Sequence, residues 1–305
     1  MILSGRTVKS MPSSGIATAI LAALFMGTIG FFSRKTGLDP AVITFFRLFF
    51  GAAFLGLLLI ATGRIRLLHQ RPSGAVLLNG AMLAGFIVFY VQAMNLTTMA
   101  NAIMVVYLAP LVSSIFAHYL LDEKLSLLSG LLIGLALFGF AMMMEFRLDI
   151  SAEHLEGLAW AAAALLCYSS FILINRTGHS TAHVYTRTFH QLLAGAACML
   201  PLIFTGLPEV AGYDWLWLLG AGLIPGFLGI YCAVAALEKL PAATYGTLAY
   251  FEPIFVVLIG WLAFAEALSP LQSAGCLVII GCGVLKGLLS SARNQSIRAG
   301  RHRLS

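Results

Sequence analysis

The chain has 305 residues, 60% of them hydrophobic and only 10% charged, with a formal net charge of +6. A soluble domain carries roughly 25% charged residues, so this composition excludes a water-soluble globular protein and points to lipid as the solvent. The basic residues are scattered over short loops and a tail instead of forming one face, which excludes a nucleic-acid footprint.

A helix crossing the ~30 Å hydrocarbon core needs about 20 mainly apolar residues. Reading apolar runs in chain order predicts ten spans, at about 15–33, 41–62, 74–95, 100–120, 125–145, 155–174, 184–205, 214–236, 242–264 and 270–290. The first run follows Arg6 and Lys9, like a signal peptide, but it is too long for one and reads as a span. Short flanks remain: an N-terminal tail 1–14 and a basic C-terminal tail 291–305 with Arg293, Arg298, Arg301 and Arg303, which reads as a disordered cytoplasmic segment near anionic lipid. Cys167, Cys198, Cys232, Cys276 and Cys282 all lie in apolar runs without ligand or pairing spacing, so neither disulfides nor a metal is expected.

Ten spans put both termini on one side. That side collects 14 of the Lys and Arg residues, Arg187, Lys239 and Lys286 among them, whereas Arg34, Lys35 and Arg147 are the only three on the other. The positive-inside rule then makes both termini cytoplasmic.

The chain also repeats itself. Residues 15–34, ending in Arg34, align without gaps with 157–176, ending in Arg176; TFFRLFFGAA at 44–53 matches TFHQLLAGAA at 188–197. Further on, ANAIMVVYLAPLV at 100–112 matches ATYGTLAYFEPIF at 243–255, and the acidic exits DEKLS at 122–126 and AEALS at 265–269 follow. With five spans per half, at 15–145 and 155–290, the second half enters the membrane inverted, the arrangement of carriers that alternate access to a midplane site. The expected fold is an all-α membrane protein with two inverted five-helix repeats around a central cavity.

Few ionisable residues fall inside the spans, where each costs ~2.5–3.5 kcal/mol on insertion scales and is a functional candidate by default. Glu252 lies at mid-depth in the ninth span and Arg47 in the second. A carboxylate suits an ammonium group or a coupling proton, and a guanidinium suits a carboxylate; the two residues can equally pair with each other. Pro253 and Pro110 cannot donate to the carbonyls of Ala249 and Val106, so two equivalent helices are expected to break at mid-depth. Ala109 stands where the second half has Glu252, which makes the site asymmetric.

Tyr90, Tyr107, Tyr168, Tyr231, Tyr245, Tyr250 and Trp160 are candidate walls for an organic substrate, with ordinary packing as the alternative for each. Gln92, Asn95, Asn101, His190 and Gln191 are polar span residues open to the same two readings, and His190 is also a candidate proton carrier. The pairs Gly130/Gly134 and Gly283/Gly287 read as close helix packing.

The five-plus-five pattern, Arg47, Pro110, Pro253, and Glu123 and Glu266 ahead of Gly-rich spans resemble the EamA family of the drug/metabolite transporter superfamily over residues 15–290. The resemblance implies an inner-membrane carrier of small metabolites, often an exporter of amino acids or their derivatives. Efflux of hydrophobic or cationic drugs and exchange of nucleotide-type metabolites are the alternatives within that class. A membrane-embedded enzyme is the rival outside it, but no GxxxxGK[ST], GxSxG or HExxH motif occurs. A channel is a third class, without the charge rings or carbonyl filters it would need. Without an ATP-binding motif, uphill transport would draw on an ion gradient, most simply protons. No cofactor is expected; the partners are a small molecule, a proton and the bilayer, and a monomer is sufficient although a dimer is possible.

Overall fold

The computed structural model describes residues 12–148, 151–177, 182–204, 210 and 212–302, with side chains omitted at 12, 13, 204 and 290–302. The N-terminal tail as far as residue 11, with Arg6 and Lys9, and the side chains of the C-terminal tail lie outside the described residues.

The described chain is helical throughout. The first half contains α1 (Pro12–Gly27), α2 (Ile29–Thr36), α3 (Pro40–Ala61), α4 (Gly74–Leu96), α5 (Met99–Val106), α6 (Ala109–Leu120) and α7 (Leu127–Met143). The second contains α8 (Leu155–Thr177), α9 (Val184–Phe204), α10 (Asp214–Ala221), a π-helical stretch Gly222–Gly229, α11 (Ile230–Lys239), α12 (Ala242–Ala249), α13 (Phe251–Phe264) and α14 (Pro270–His302). Local chemistry starts several of these. Asp39 accepts a hydrogen bond from the Ala41 N–H at 2.7 Å with Pro40 at the first helical position of α3, and Ser126 caps α7. Ser269 and Gln272 form a reciprocal capping box at α14, at 3.1 and 3.2 Å.

Among the described residues, eight helices or helix pairs are long and apolar enough to cross a membrane. Two of the ten expected spans are not among them. The helix at 125–145 contracts to Leu127–Met143, 17 residues, and α9 carries the polar run Arg187 to Gln191 in its first turns. The last helix does not stop near 290: its backbone stays helical to His302, so the expectation of a disordered tail from 291 is corrected to a helical extension. The reason is compositional, since residues 290–302 hold no Pro and only Gly300 among helix breakers.

The halves interlock instead of standing side by side. α4 packs on α8 and α1 on α11; α3 packs on α9, α6 on α12 and α7 on α14. The main core lies between them, around Leu48, Leu83, Phe171, Leu192, Met199 and Leu248. Several approaches need a missing Cβ. A methyl group at Gly80 would come within 2.5 Å of the Gln191 carbonyl, and one at Gly275 within 2.4 Å of that of Gly139. Gly283 likewise seats the Phe251 ring. Gly130 and Gly134 do not behave this way: a Cβ there meets nothing within 4 Å, so this pair seats no helix among the described residues, because the buried side of α7 is formed by Leu132, Ile133, Ala136 and Phe140.

A candidate substrate site at the helix breaks

Four of the candidate membrane-crossing segments are interrupted. α5 ends at Val106 and α6 resumes at Ala109, with Pro110 in its first turn; α12 ends at Ala249 and α13 resumes at Phe251, with Pro253 in its first turn. Both breaks fall at the prolines, as the missing N–H requires. Just beyond the first break, Ser113 and Ser114 of α6 donate to the Pro110 carbonyl at 3.1 and 2.6 Å. A third break, at Thr28 between α1 and α2, and a fourth, the π-helical stretch with Pro225, have no such sequence expectation behind them.

The breaks touch one another. Tyr250 donates its hydroxyl to the main-chain carbonyl of Tyr107 at 2.6 Å, and the rings lie 6.0 Å apart. Gly246 packs on Pro110, and Gly27, beside the Thr28 break, packs on the carbonyl of Glu252. Pieces of the segments Ser14–Thr36, Met99–Leu120 and Ala242–Phe264 thereby converge on one region.

Glu252 sits at the centre of that region. It keeps part of its surface accessible although its neighbours Pro253 and Ile254 are buried. Its carboxylate is within electrostatic reach of Arg47, Tyr90, Tyr107, Tyr168 and Tyr245. Arg47 is buried on α3, and its Nε has no hydrogen-bond partner. The ion pairs of the described residues include neither Arg47 nor Glu252. Two opposite charges thus lie within electrostatic reach of each other, with no ion pair between them among the described residues.

Tyrosines lie around Glu252. Tyr168 and Tyr245 have their hydroxyls close enough to interact. Phe86 stacks on both Tyr168, at 5.0 Å, and Tyr90, at 6.1 Å; Tyr107 stacks on Phe140 at 4.3 Å. Rings fixed in this way present π-faces and hydroxyls at little conformational cost, which suits an ammonium group or an aromatic ring.

The remaining sequence candidates separate from this group. Trp160 stands against Phe89, in a small cluster that includes Tyr90. Tyr231 stacks on Tyr185 at 5.0 Å, apart from Glu252. Gln92 and Asn95 are exposed, Gln92 opposite the buried stripe of α4. Asn101 is buried and donates to Thr97 at 2.9 Å, and His190 bonds the Thr186 carbonyl.

Two features escaped the sequence reading. Arg187, counted there among the cations of one side, is buried within α9, where it donates to the carbonyl and Oδ1 of Asn175 at 2.7 and 3.1 Å and lies 3.7 Å from Glu238. Gln191 donates to the same Oδ1 at 2.8 Å. The reason is geometric: Arg187 is one turn into an amphipathic helix start and falls on its inner face. The second feature is the seat of Arg47. A Cβ at Gly226 would lie 2.3 Å from the Arg47 carbonyl, and one at Gly222 2.3 Å from Phe50 Cβ, so the π-helical stretch presses directly on α3. The spacing Gly222-x3-Gly226 was the available signal.

The helical architecture and the interrupted helices define a multi-pass membrane protein of transporter type. The chain belongs to the EamA-like transporter family, which matches residues 13–145 and 155–285, one repeat in each half. It is similar to an uncharacterized transporter of Archaeoglobus fulgidus, 28% identical over 92% of this chain and 96% of that one. It is also similar to the aromatic amino acid exporter YddG of Ancylobacter novellus, 24% identical over 91% and 98%. The threonine/homoserine exporter RhtA of Escherichia coli is 26% identical over 45% of this chain and 47% of its own. A solved crystal structure shares the fold with a TM-score of 0.82 at 23% identity, over 92% of this chain and 100% of that one.

Proposed function

We propose that this chain is a secondary active carrier that exports a small zwitterion, an amino acid or an amino-acid-derived compound, across the bacterial inner membrane by alternating access. The observation that carries the reading is the pair Glu252 and Arg47, opposite charges at the helix breaks with no ion pair joining them and tyrosines around them. A bound ammonium would face Glu252 and the tyrosine rings, and a bound carboxylate would face Arg47.

In this reading the chain crosses the membrane ten times, as two inverted repeats with both termini cytoplasmic. The packing supports it: exchanging the halves turns the α4–α8 contact into α1–α11 and returns α3–α9 and α7–α14 to themselves. Two of the similar proteins are named as amino acid exporters, which supports the substrate class. Coupling to protons follows from Glu252, the one carboxylate at the site: it can carry either a proton or the substrate ammonium, so exchange of one for the other links the two gradients.

A second reading is favoured by the tyrosines around Glu252: efflux of an organic cation that needs the carboxylate and the rings but not Arg47. Uptake of a panel of labelled amino acids and organic amines into inverted vesicles, with and without an imposed proton gradient, tests both. Proton-dependent uptake of zwitterions that Arg47→Gln abolishes supports the first reading. Uptake of amines that Arg47→Gln spares supports the second, and no gradient-dependent uptake of either class overturns both.

A further inference from the structure

Arg34 and Arg176 occupy equivalent places in the two halves, and so do Glu123 and Glu266. In the folded chain each arginine is paired with the glutamate of the other half: Arg34 with Glu266, and Arg176 with Glu123. The length of α12 and α13 separates Ala242, beside the second pair, from Ala265, beside the first, so the pairs lie at opposite ends of the molecule.

The two glutamates are presented by the same turn. Asp122 and Ala265, each just before its glutamate, adopt left-handed backbone with φ of 53° and 54°. The N–H of Glu123 then bonds the Ala117 carbonyl and that of Glu266 the Gly260 carbonyl, each at 3.3 Å and six residues back. The bond runs one residue further back than that of a Schellman helix end, and it is made here without glycine in the left-handed position, where a side chain is disfavoured. A strained turn repeated at both glutamates marks them as held in place rather than incidental.

The pairs are not equal. Arg34 and Glu266 keep 54% and 50% of their side-chain surface exposed, against 26% and 17% for Arg176 and Glu123. Glu123 also accepts the Ala242 N–H at 2.9 Å, tying it to the start of α12. Separating the halves at that end breaks two interactions with Glu123, one of them a partly buried ion pair.

We propose that the two Arg–Glu pairs are reciprocal latches: each holds one end of the molecule closed by joining the two halves, and Arg176–Glu123 is the tighter. The proposal rests on the carrier reading only in taking these ends as the two mouths of the site. Opening at one end releases its own pair and leaves the other intact, so the balance between the pairs sets which end opens more readily.

Spin-label distances on the full chain test this, with the five native cysteines replaced and labels at Lys124 and Lys239 for one end and at Lys35 and Ala267 for the other. Glu123→Gln keeps an acceptor for Ala242 but loses the ion pair. It and Arg176→Gln should each raise the long-distance population at Lys124/Lys239 about threefold, the shift that loss of one such pair allows, without lengthening Lys35/Ala267. Glu266→Gln and Arg34→Gln, at the exposed pair and therefore least threatening to folding, should do the reverse. Unchanged distributions at a variant's own end, or equal broadening at both ends, would overturn the latches. These distances need no substrate, so the latches can fail in a chain that transports and can hold in a chain for which no transport is found.

Discussion

The hydroxyl of Tyr250 donates to the main-chain carbonyl of Tyr107 at 2.6 Å, joining the break between α12 and α13 to its counterpart between α5 and α6. The two residues occupy the same place in the two halves, yet the bond runs one way, from the fully buried Tyr250 to the backbone of Tyr107. The contact therefore couples the halves and breaks their equivalence at the site.

Tyr250→Phe removes this bond and leaves the Tyr107 carbonyl without it, at a cost of about 1 kcal/mol. Transport should slow several-fold while the protein remains folded. Tyr107→Phe should leave the coupling in place, because the acceptor there is main chain; equal effects of the two variants on transport rate would contradict this.

Close packing at the π-helical stretch makes a steric prediction. Gly226→Val places a side chain against the Arg47 carbonyl, where a Cβ already lies at 2.3 Å, and should destabilise by about 1–3 kcal/mol as an overpacked core site does. Gly134→Val, with open space, should change little beyond helix propensity. Thermal unfolding in detergent compares them directly.

Arg187 organises a buried polar cluster through Asn175 and Gln191. Arg187→Met takes a donor from Asn175 and should cost about 1–3 kcal/mol. Asn175→Leu together with Gln191→Leu in the same background should recover part of that loss, since removing all three polar side chains leaves none of them unsatisfied; no recovery in the triple variant would show that the cluster is not coupled.

Beyond the end of α7, a hydrogen bond from Ser269 and then the charge of Arg147 hold the Glu145 carboxyl below the ordinary carboxylate range. A depressed folded-state value stabilises above the unfolded value, and the benefit is lost as pH falls through the folded one. Glu145→Gln should therefore lower stability at neutral pH, and wild type and variant should converge in acid. A difference that persists below the carboxylate range would contradict the assignment.

Much of this was readable from residue order. The prolines at 110 and 253 name the breaks because a missing N–H acts locally, and Glu252 and Arg47 stand out because charge is scarce among apolar residues. Arg187 misled because an arginine near a span end looks the same whether it faces a loop or the interior; only the partner helix with Asn175 decides. The crossed pairing of Arg34 with Glu266 and Arg176 with Glu123 was hidden for a related reason. The repeat aligns like with like, whereas an ion pair joins unlike residues from different halves.

The central claim is that Glu252 is the carboxylate on which transport turns. Metabolite profiles of medium and cytoplasm, from cells producing wild type or Glu252→Gln at equal membrane abundance, test it most directly. Wild type should shift a small set of zwitterionic or aminated metabolites from cytoplasm to medium, and Glu252→Gln should abolish the shift. An identical shift with Glu252→Gln would contradict it.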